Sequence, residues 1–397
     1  MWLLELLFFG LTLFIGWMMF GYFLFIAFKG LFQNRKEPAF PESWPMISVI
    51  VPCFNEQSQI LDKLNDLRAL DYPSDCLEVV FADGGSTDET LAILENALNQ
   101  EEPFRVIRCP RKGKINQINF ALPQLRGDLV INTDVDARLS SDALKWIVAE
   151  FEASPDIRVV GAYSHPLDTL DLEHYYWDAQ NKGRFLESEV WTASIVIAQC
   201  YGFRRSLLSA FPEDVVADDI YIAYLANTLG YRTVYSRHAI SRETRSPQTY
   251  AEFLQHKFRK GNAFLRESLR FLYRLPEMDT FCKLMHGTRI AQQLLLPWML
   301  LVWALVAGSL LTLFRVDLVF FAILFLLLLL LLTNRVFASV KLPGDPRHYS
   351  FSAVLKSFLM TLLLLLMTGL SYPFFRQSSS YARLPAGMTA SDKPETV

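Results

Sequence analysis

Residues 2–28, WLLELLFFGLTLFIGWMMFGYFLFIAF, carry a single charge, Glu5. At about 1.5 Å per residue, a helix of this length crosses a hydrocarbon core of roughly 30 Å. A cleaved leader has an apolar region of only about 7–15 residues behind a positive amino end. This run is longer and opens without a basic residue, so a retained membrane anchor is expected. Three further spans are expected near 289–314, 317–333 and 353–373. Loops are assigned to sides by their Lys and Arg content. Lys29, Arg35 and Lys36 follow the first span, and Arg335, Lys341 and Arg347 separate the last two. Both sets belong in the cytoplasm, which puts the amino terminus outside and the long middle segment inside.

The chain is 52% hydrophobic, and the excess sits at the two ends. The expected organisation is an anchor at 1–30, a cytoplasmic α/β domain at 40–265, amphipathic interface helices at 250–288, about three spans at 289–375 and a disordered tail at 376–397. The net charge of −3 implies no nucleic acid or other polyanion as partner. Cys53, Cys76, Cys109, Cys200 and Cys282 show no paired spacing, as expected of thiols in a reducing compartment.

Within the middle segment, Ile47–Val51 is a short β-branched run closed by Pro52 and reads as a buried parallel strand. Residues 58–70 place Ile60, Leu61, Leu64 and Leu67 on one helical face. Strands are expected at 77–82, 104–109 and 128–133. Helices are expected after Asp83-Gly84-Gly85-Ser86, with Ser86 and Glu89 in capping-box spacing, and from Arg111-Lys112-Gly113-Lys114 to about Leu125. Strands alternating with helices predict βαβ units and a mostly parallel sheet, with ligands at the carboxyl ends of the strands. Asn55-Glu56, Asp83 and Asp134-Val135-Asp136 all fall at such ends.

Two carboxylates one residue apart at a strand end can both reach a hard divalent cation. Mg²⁺ or Mn²⁺ there would be completed by substrate phosphates. In a random loop the same Asp-x-Asp is solvated surface; its place after Leu129–Thr133 favours the metal reading. Asp83 lies before the expected cap and is open to a base or ribose, and Gly84 and Gly85 let backbone approach a ligand. Lys114 offers a point charge to a phosphate, or is a surface lysine.

Val51-Pro52-Cys53-Phe54-Asn55-Glu56, Asp83-Gly84-Gly85-Ser86-Thr87-Asp88, Gly113-Lys114 and Thr133-Asp134-Val135-Asp136, in this order, resemble the family 2 glycosyltransferases over about residues 45–265. These are inverting enzymes of the GT-A fold with nucleotide-sugar donors. The flanking spans resemble the membrane-bound bacterial branch that makes surface polysaccharides and glycolipids at the inner (plasma) membrane. The resemblance implies that Glu56 and Asp83 bind the nucleoside, usually uridine, with Pro52, Asn55 and Gly84 also in the nucleotide-sugar site. It implies Asp134 and Asp136 at the diphosphate and metal, with Lys114 beside them.

It also implies a general base in Ala217-Asp218-Asp219-Ile220. An acceptor hydroxyl must lose a proton as it attacks the anomeric carbon, from the face opposite the leaving diphosphate. Asp219 is the first choice and Asp218 the second; helix-capping surface residues are the plainer reading. Residues 199–205 occupy the place of the family's acceptor-side loop, which makes Tyr201 and Gly202 acceptor candidates. Where polymerising members carry Gln-x-x-Arg-Trp, this chain has Gln255-His256-Lys257-Phe258-Arg259-Lys260-Gly261. Lys257, Arg259 and Lys260 remain suited to a diphosphate and Phe258 to an acceptor, but the indole platform is gone, which speaks against processive synthesis. Basic side chains snorkelling at headgroups explain the same segment. His256 is expected at the surface, and Tyr175-Tyr176-Trp177 with Trp191 in the core or along an acceptor groove.

The expected function is metal-dependent transfer of a sugar, from a UDP-linked donor, to a growing glycan or lipid-linked acceptor at the inner membrane face. Export or polymerisation partners would be needed for a polymer. The alternatives are single-sugar transfer to a polyprenyl or other lipid carrier, and a non-catalytic membrane scaffold with a nucleotide pocket. Sugar, linkage and acceptor are not legible in the chain.

Overall fold

Strand β1 (Ile47–Cys53) alternates its side chains between the two faces of a sheet, and each face has its own core. Ile47, Val49 and Val51 join one cluster while Ile50 joins the other. Strands β2 (Leu77–Asp83) and β4 (Leu129–Thr133) repeat the pattern, with Val79 and Ile131 on the first face and Val80 and Val130 on the second. A strand buried on both sides reads as a continuous apolar run, the signature of a sheet covered by helices on both faces. The computed structural model describes residues 1–33, 35–98, 102–344 and 349–374. Arg347 and the segment after Phe374, where the tail was expected, lie outside them.

The remaining strands are β3 (Phe104–Arg108), β5 (Ala137–Leu139), β6 (Ile157–Pro166), β7 (Cys200–Arg204) and β8 (Arg232–Glu243). The order across the eight-stranded sheet is β3-β2-β1-β4-β7-β6-β8-β5. The first four neighbours are parallel; β7 runs antiparallel to both β4 and β6, β8 parallel to β6, and β5 antiparallel to β8. The chain thus steps outward from β1 to β3, then returns to place β4 on the other side of β1. That reversal leaves a crevice at the carboxyl ends of β1 and β4, the usual ligand position in such sheets.

The helix after β2 begins at Thr90, not at Ser86. Ser86 is drawn instead into the turn below Asp83, and Asp88 accepts from the Thr90 backbone N–H at 3.0 Å. The helix from Lys114 ends at Ala121 and passes into a 3₁₀ turn, Leu122–Gln124, with Pro123 inside it.

Among the described residues, three helices are long and apolar enough to cross a membrane: Trp2–Gly30, Val316–Ser339 and Ser352–Ser371. The stretch expected as one span at 289–314 is instead two helices, Thr280–Leu294 and Leu296–Thr312, bent by 57° at Leu295. Pro297, at the start of the second helix, has no N–H to give back to the first. The pair counts as a fourth span only if taken together. The apolar helices are locked to the sheet domain at Glu187, a fully buried carboxylate in the helix Asp171–Val190. Glu187 accepts from the Tyr22 hydroxyl of the first helix at 2.8 Å, from Arg289 at 2.7 Å and from the Ser194 backbone N–H at 2.9 Å.

Candidate active site

The loops that leave β1 and β2 are sewn together. Asn55, at φ 54°, donates its backbone N–H to the Ser86 hydroxyl at 2.9 Å, and its side-chain oxygen accepts from the Thr87 N–H at 2.8 Å. Asn is one of the few side chains that tolerates the left-handed region. Asp83 does not stand open as expected. It is buried and accepts from the Gly85 N–H at 2.9 Å and from Ser86, so its carboxylate holds the turn together. Gly84 backs onto the Gln117 side chain, and its Cβ position would lie 2.6 Å from Gln117 Nε2. Neither residue lines the large cavity described below. Glu56 is held in a two-pronged pair with Arg245, which follows β8, and its N–H donates to Thr90 Oγ1 at 2.6 Å.

Thr133 ends β4, and the Asp134 N–H donates to the Gln199 carbonyl at 3.2 Å, which turns the chain out of the sheet. Lys63, fully buried, braces this turn from beneath, donating to Thr133 Oγ1 at 3.0 Å and to the Ala137 carbonyl at 2.7 Å. Thr244 closes the other side, its N–H 2.8 Å from the Asp136 carbonyl. Lys114 bridges two acidic segments far apart in sequence, with Nζ 2.7 Å from Asp134 Oδ1 and 3.2 Å from Asp218 Oδ2. Burial alone would weaken the ammonium, but Asp134 and Asp218 outweigh it and hold Lys114 charged well above its usual range.

Asp218 and Asp219 open the helix Asp218–Thr228, where the helix dipole favours negative charge. The two are not equivalent. Asp218 is buried and takes the Tyr201 hydroxyl at 2.7 Å besides Lys114. Asp219 is less buried, and burial together with the neighbouring Asp218 charge pushes it up to about 6, against the pull of Lys114 and Lys260.

Several expected site residues are already engaged within the protein. Tyr201 and Gly202 sit inside β7 in the core; a Cβ on Gly202 would meet Ile147 at 2.9 Å. Neither lines the cavity described below, which the Tyr201 hydroxyl approaches through its bond to Asp218. Lys257 is buried under Tyr176, Trp177 and Phe253 and pairs with Glu173 at 2.6 Å, so its charge is already compensated. Lys257→Ala is expected to leave Glu173 as an uncompensated buried charge and to destabilise the protein by about 3–5 kcal/mol. A thermal melt should show the loss while affinity for nucleoside diphosphate stays within twofold. His256 is buried, not at the surface, and burial keeps its ring neutral. His256, Lys257, Phe258, Arg259 and Lys260 all line the cavity, as do Tyr175, Tyr176 and Trp177, whereas Trp191 is 40% exposed.

That cavity is about 1590 Å³ and runs without interruption past Pro52, Asn55, Lys114, Asp134, Asp136 and Asp219 into the apolar helices. There Phe20 and Phe23 of the first helix, Leu330 and Asn334 of Val316–Ser339, and Thr361 and Leu365 of Phe351–Ser371 line its walls. The sequence singled out Gln199 only as part of the loop 199–205, and Arg245, Lys63 and Glu243 not at all. Of these only Arg245 had a signal, a cation beside an acidic residue at a strand end.

The donor set fits a hard divalent cation only in part by itself. Asp134 already holds Lys114, whereas Asp136 makes no ion pair with a described residue and lines the cavity. Among the described residues no three His, Cys, Asp or Glu side chains group around one point. A cation here would take Asp136, assisted by Asp134, and complete its shell with water and ligand phosphates, which is how Mg²⁺ and Mn²⁺ bind at phosphate-handling sites.

Residues 48–211 match the family described as Glycosyl transferase family 2. The chain is 26% identical over 260 residues to an N-acetylglucosaminyltransferase of Rhizobium leguminosarum bv. viciae, which covers 60% of each chain. It is 27% identical over 266 residues to an N-acetylglucosaminyltransferase of Rhizobium meliloti (strain 1021), covering 62% of each. The chain therefore spans about three fifths of the length of these curated relatives. Among solved structures, a mannosyltransferase from Pyrobaculum calidifontis in complex with GDP-Man and Mn²⁺ superposes with a TM-score of 0.71 at 23% identity. That superposition covers 94% of this chain and 99% of the other. The likeness is one of fold: a parallel-dominant GT-A sheet flanked by helices, with apolar helices attached.

Proposed function

We propose, from the premise that this chain carries a family 2 glycosyltransferase domain, that it transfers one sugar from a nucleotide-sugar donor to a lipid-borne acceptor, with inversion. The observation that carries the reading is the cavity joining the strand-end carboxylates to the membrane-length helices. An acceptor that lives in the bilayer could present its polar end to Asp219 without leaving the lipid. This favours the single-transfer alternative over a growing glycan, in agreement with the missing tryptophan platform. Lys29, Arg35 and Lys36 after the first helix support a cytoplasmic position for the domain.

In this reading the diphosphate lies over Asp134, Asp136 and Lys114. A Mg²⁺ or Mn²⁺ held there by Asp136 would supply positive charge to the leaving group. Asp219 accepts the acceptor hydroxyl's proton as the oxygen attacks the anomeric carbon and the carbon–phosphate oxygen bond breaks. Asp218 is unsuited to that task because Tyr201 and Lys114 already occupy it. It serves by raising the proton affinity of Asp219.

The test is to incubate membranes bearing the protein with labelled UDP- and GDP-sugars. Label is expected in a single organic-extractable product; label confined to long aqueous glycan would refute single transfer. Thr361→Trp, which fills the membrane end of the cavity, is expected to raise the acceptor KM by about tenfold or more. Nucleotide affinity, measured by titration calorimetry, should be unchanged.

A further inference from the structure

Behind the loop that carries Asp134 and Asp136 lie two buried polar side chains that the mechanism does not use. Gln199 precedes β7, and Glu243 is the last residue of β8. Gln199 Nε2 donates to Glu243 Oε1 at 2.6 Å. They are 3% and 5% exposed, and both line the cavity. Their other oxygens, Gln199 Oε1 and Glu243 Oε2, are buried without a hydrogen-bond partner among the described residues. Buried acceptors are nearly always satisfied, and leaving one unmet is costly. Two together on a cavity wall point to donors that arrive with a ligand.

Their place says which part of the ligand that is. The Gln199 carbonyl accepts from the Asp134 N–H, and Thr244, directly after Glu243, bonds the Asp136 carbonyl. The pair is therefore fastened to the loop assigned to the diphosphate. The two unmet oxygens suit neutral O–H or N–H groups better than a phosphate, whose own oxygens only accept. Resting on the reading of the site above, we infer that Gln199 and Glu243 together accept hydrogen bonds from the hydroxyl groups of the donor's sugar and so select among sugars. A site built to receive a hydroxyl discriminates strongly against a ligand that lacks it, because its buried acceptors are then left unmet.

The experiment is calorimetric titration of the full chain in detergent with UDP, GDP, UDP-GlcNAc and GDP-Man, for wild type, Glu243→Gln and Gln199→Leu. Expected is a loss of about tenfold or more in affinity for whichever sugar nucleotide wild type binds, with the matching bare diphosphate within twofold. Retained bare-diphosphate binding also shows that each variant is folded. Unchanged sugar-nucleotide affinity, or a parallel loss for the bare diphosphate, overturns the inference and leaves the proposed transfer standing. Wild type that binds none of the four overturns the reading of the site, and this inference with it.

Discussion

Replacing Asp219 by Asn is expected to lower kcat by about 10²- to 10⁴-fold, the range of a positioned general base. Donor affinity should be unaffected. The change is isosteric and removes only the proton acceptor. Asp218, held by Tyr201 and Lys114, offers no substitute in the same place. The pH profile carries a second readout. Asp219 is raised to about 6 by burial and by Asp218, and a base works only when ionised. In wild type, kcat/KM should therefore be flat above neutrality and fall about tenfold per pH unit below 6. The residual activity of the variant should lack that limb. The sign for stability is opposite. An acid whose folded pKa exceeds its unfolded value of about 3.9 costs the fold free energy as pH rises through that interval. The variant's melting temperature at pH 7 should therefore be no lower than that of wild type. Wild-type kcat in the variant, or an acid limb that survives in it, would remove Asp219 from the base role.

Asp136→Ala is expected to abolish metal-dependent release of nucleoside diphosphate from the donor, by about 10³-fold or more, since bound metal contributes several kcal/mol to stabilising the leaving group. Asp136 lines the cavity without an ion pair among the described residues, so its removal strands no buried cation. Raising Mg²⁺ or Mn²⁺ should restore little. A protein that releases no diphosphate even as wild type, yet binds nucleotide, would instead be a membrane scaffold with a retained pocket. Release that persists in the variant would move the metal elsewhere.

The parallel half of the sheet was legible because double-sided burial writes largely apolar runs at Ile47–Val51, broken only by Ser48, and at Leu129–Ile131. The acids that follow them stand where such sheets bind ligands. Beyond Asp136 the sequence signal thins. Strands β6, β7 and β8 mix directions, and no local pattern tells an antiparallel insertion from another parallel step. Three of the expected site residues, Asp83, Tyr201 and Lys257, carry polar side chains whose partners come from other segments or from their own turn. A motif lists such groups as ligand contacts, whereas Ser86, Asp218 and Glu173 already occupy them.

The sequence by itself determined the apolar ends, the βαβ half and the position of carboxylates at strand ends, because hydrophobic periodicity and turn chemistry are local properties of the chain. Only the tertiary structure decided which carboxylates are satisfied and which face the cavity, and that the cavity opens between membrane-length helices. Those outcomes depend on pairings such as Lys114 with Asp218, or Tyr22 with Glu187, whose partners lie far apart in sequence and meet only when the chain is packed.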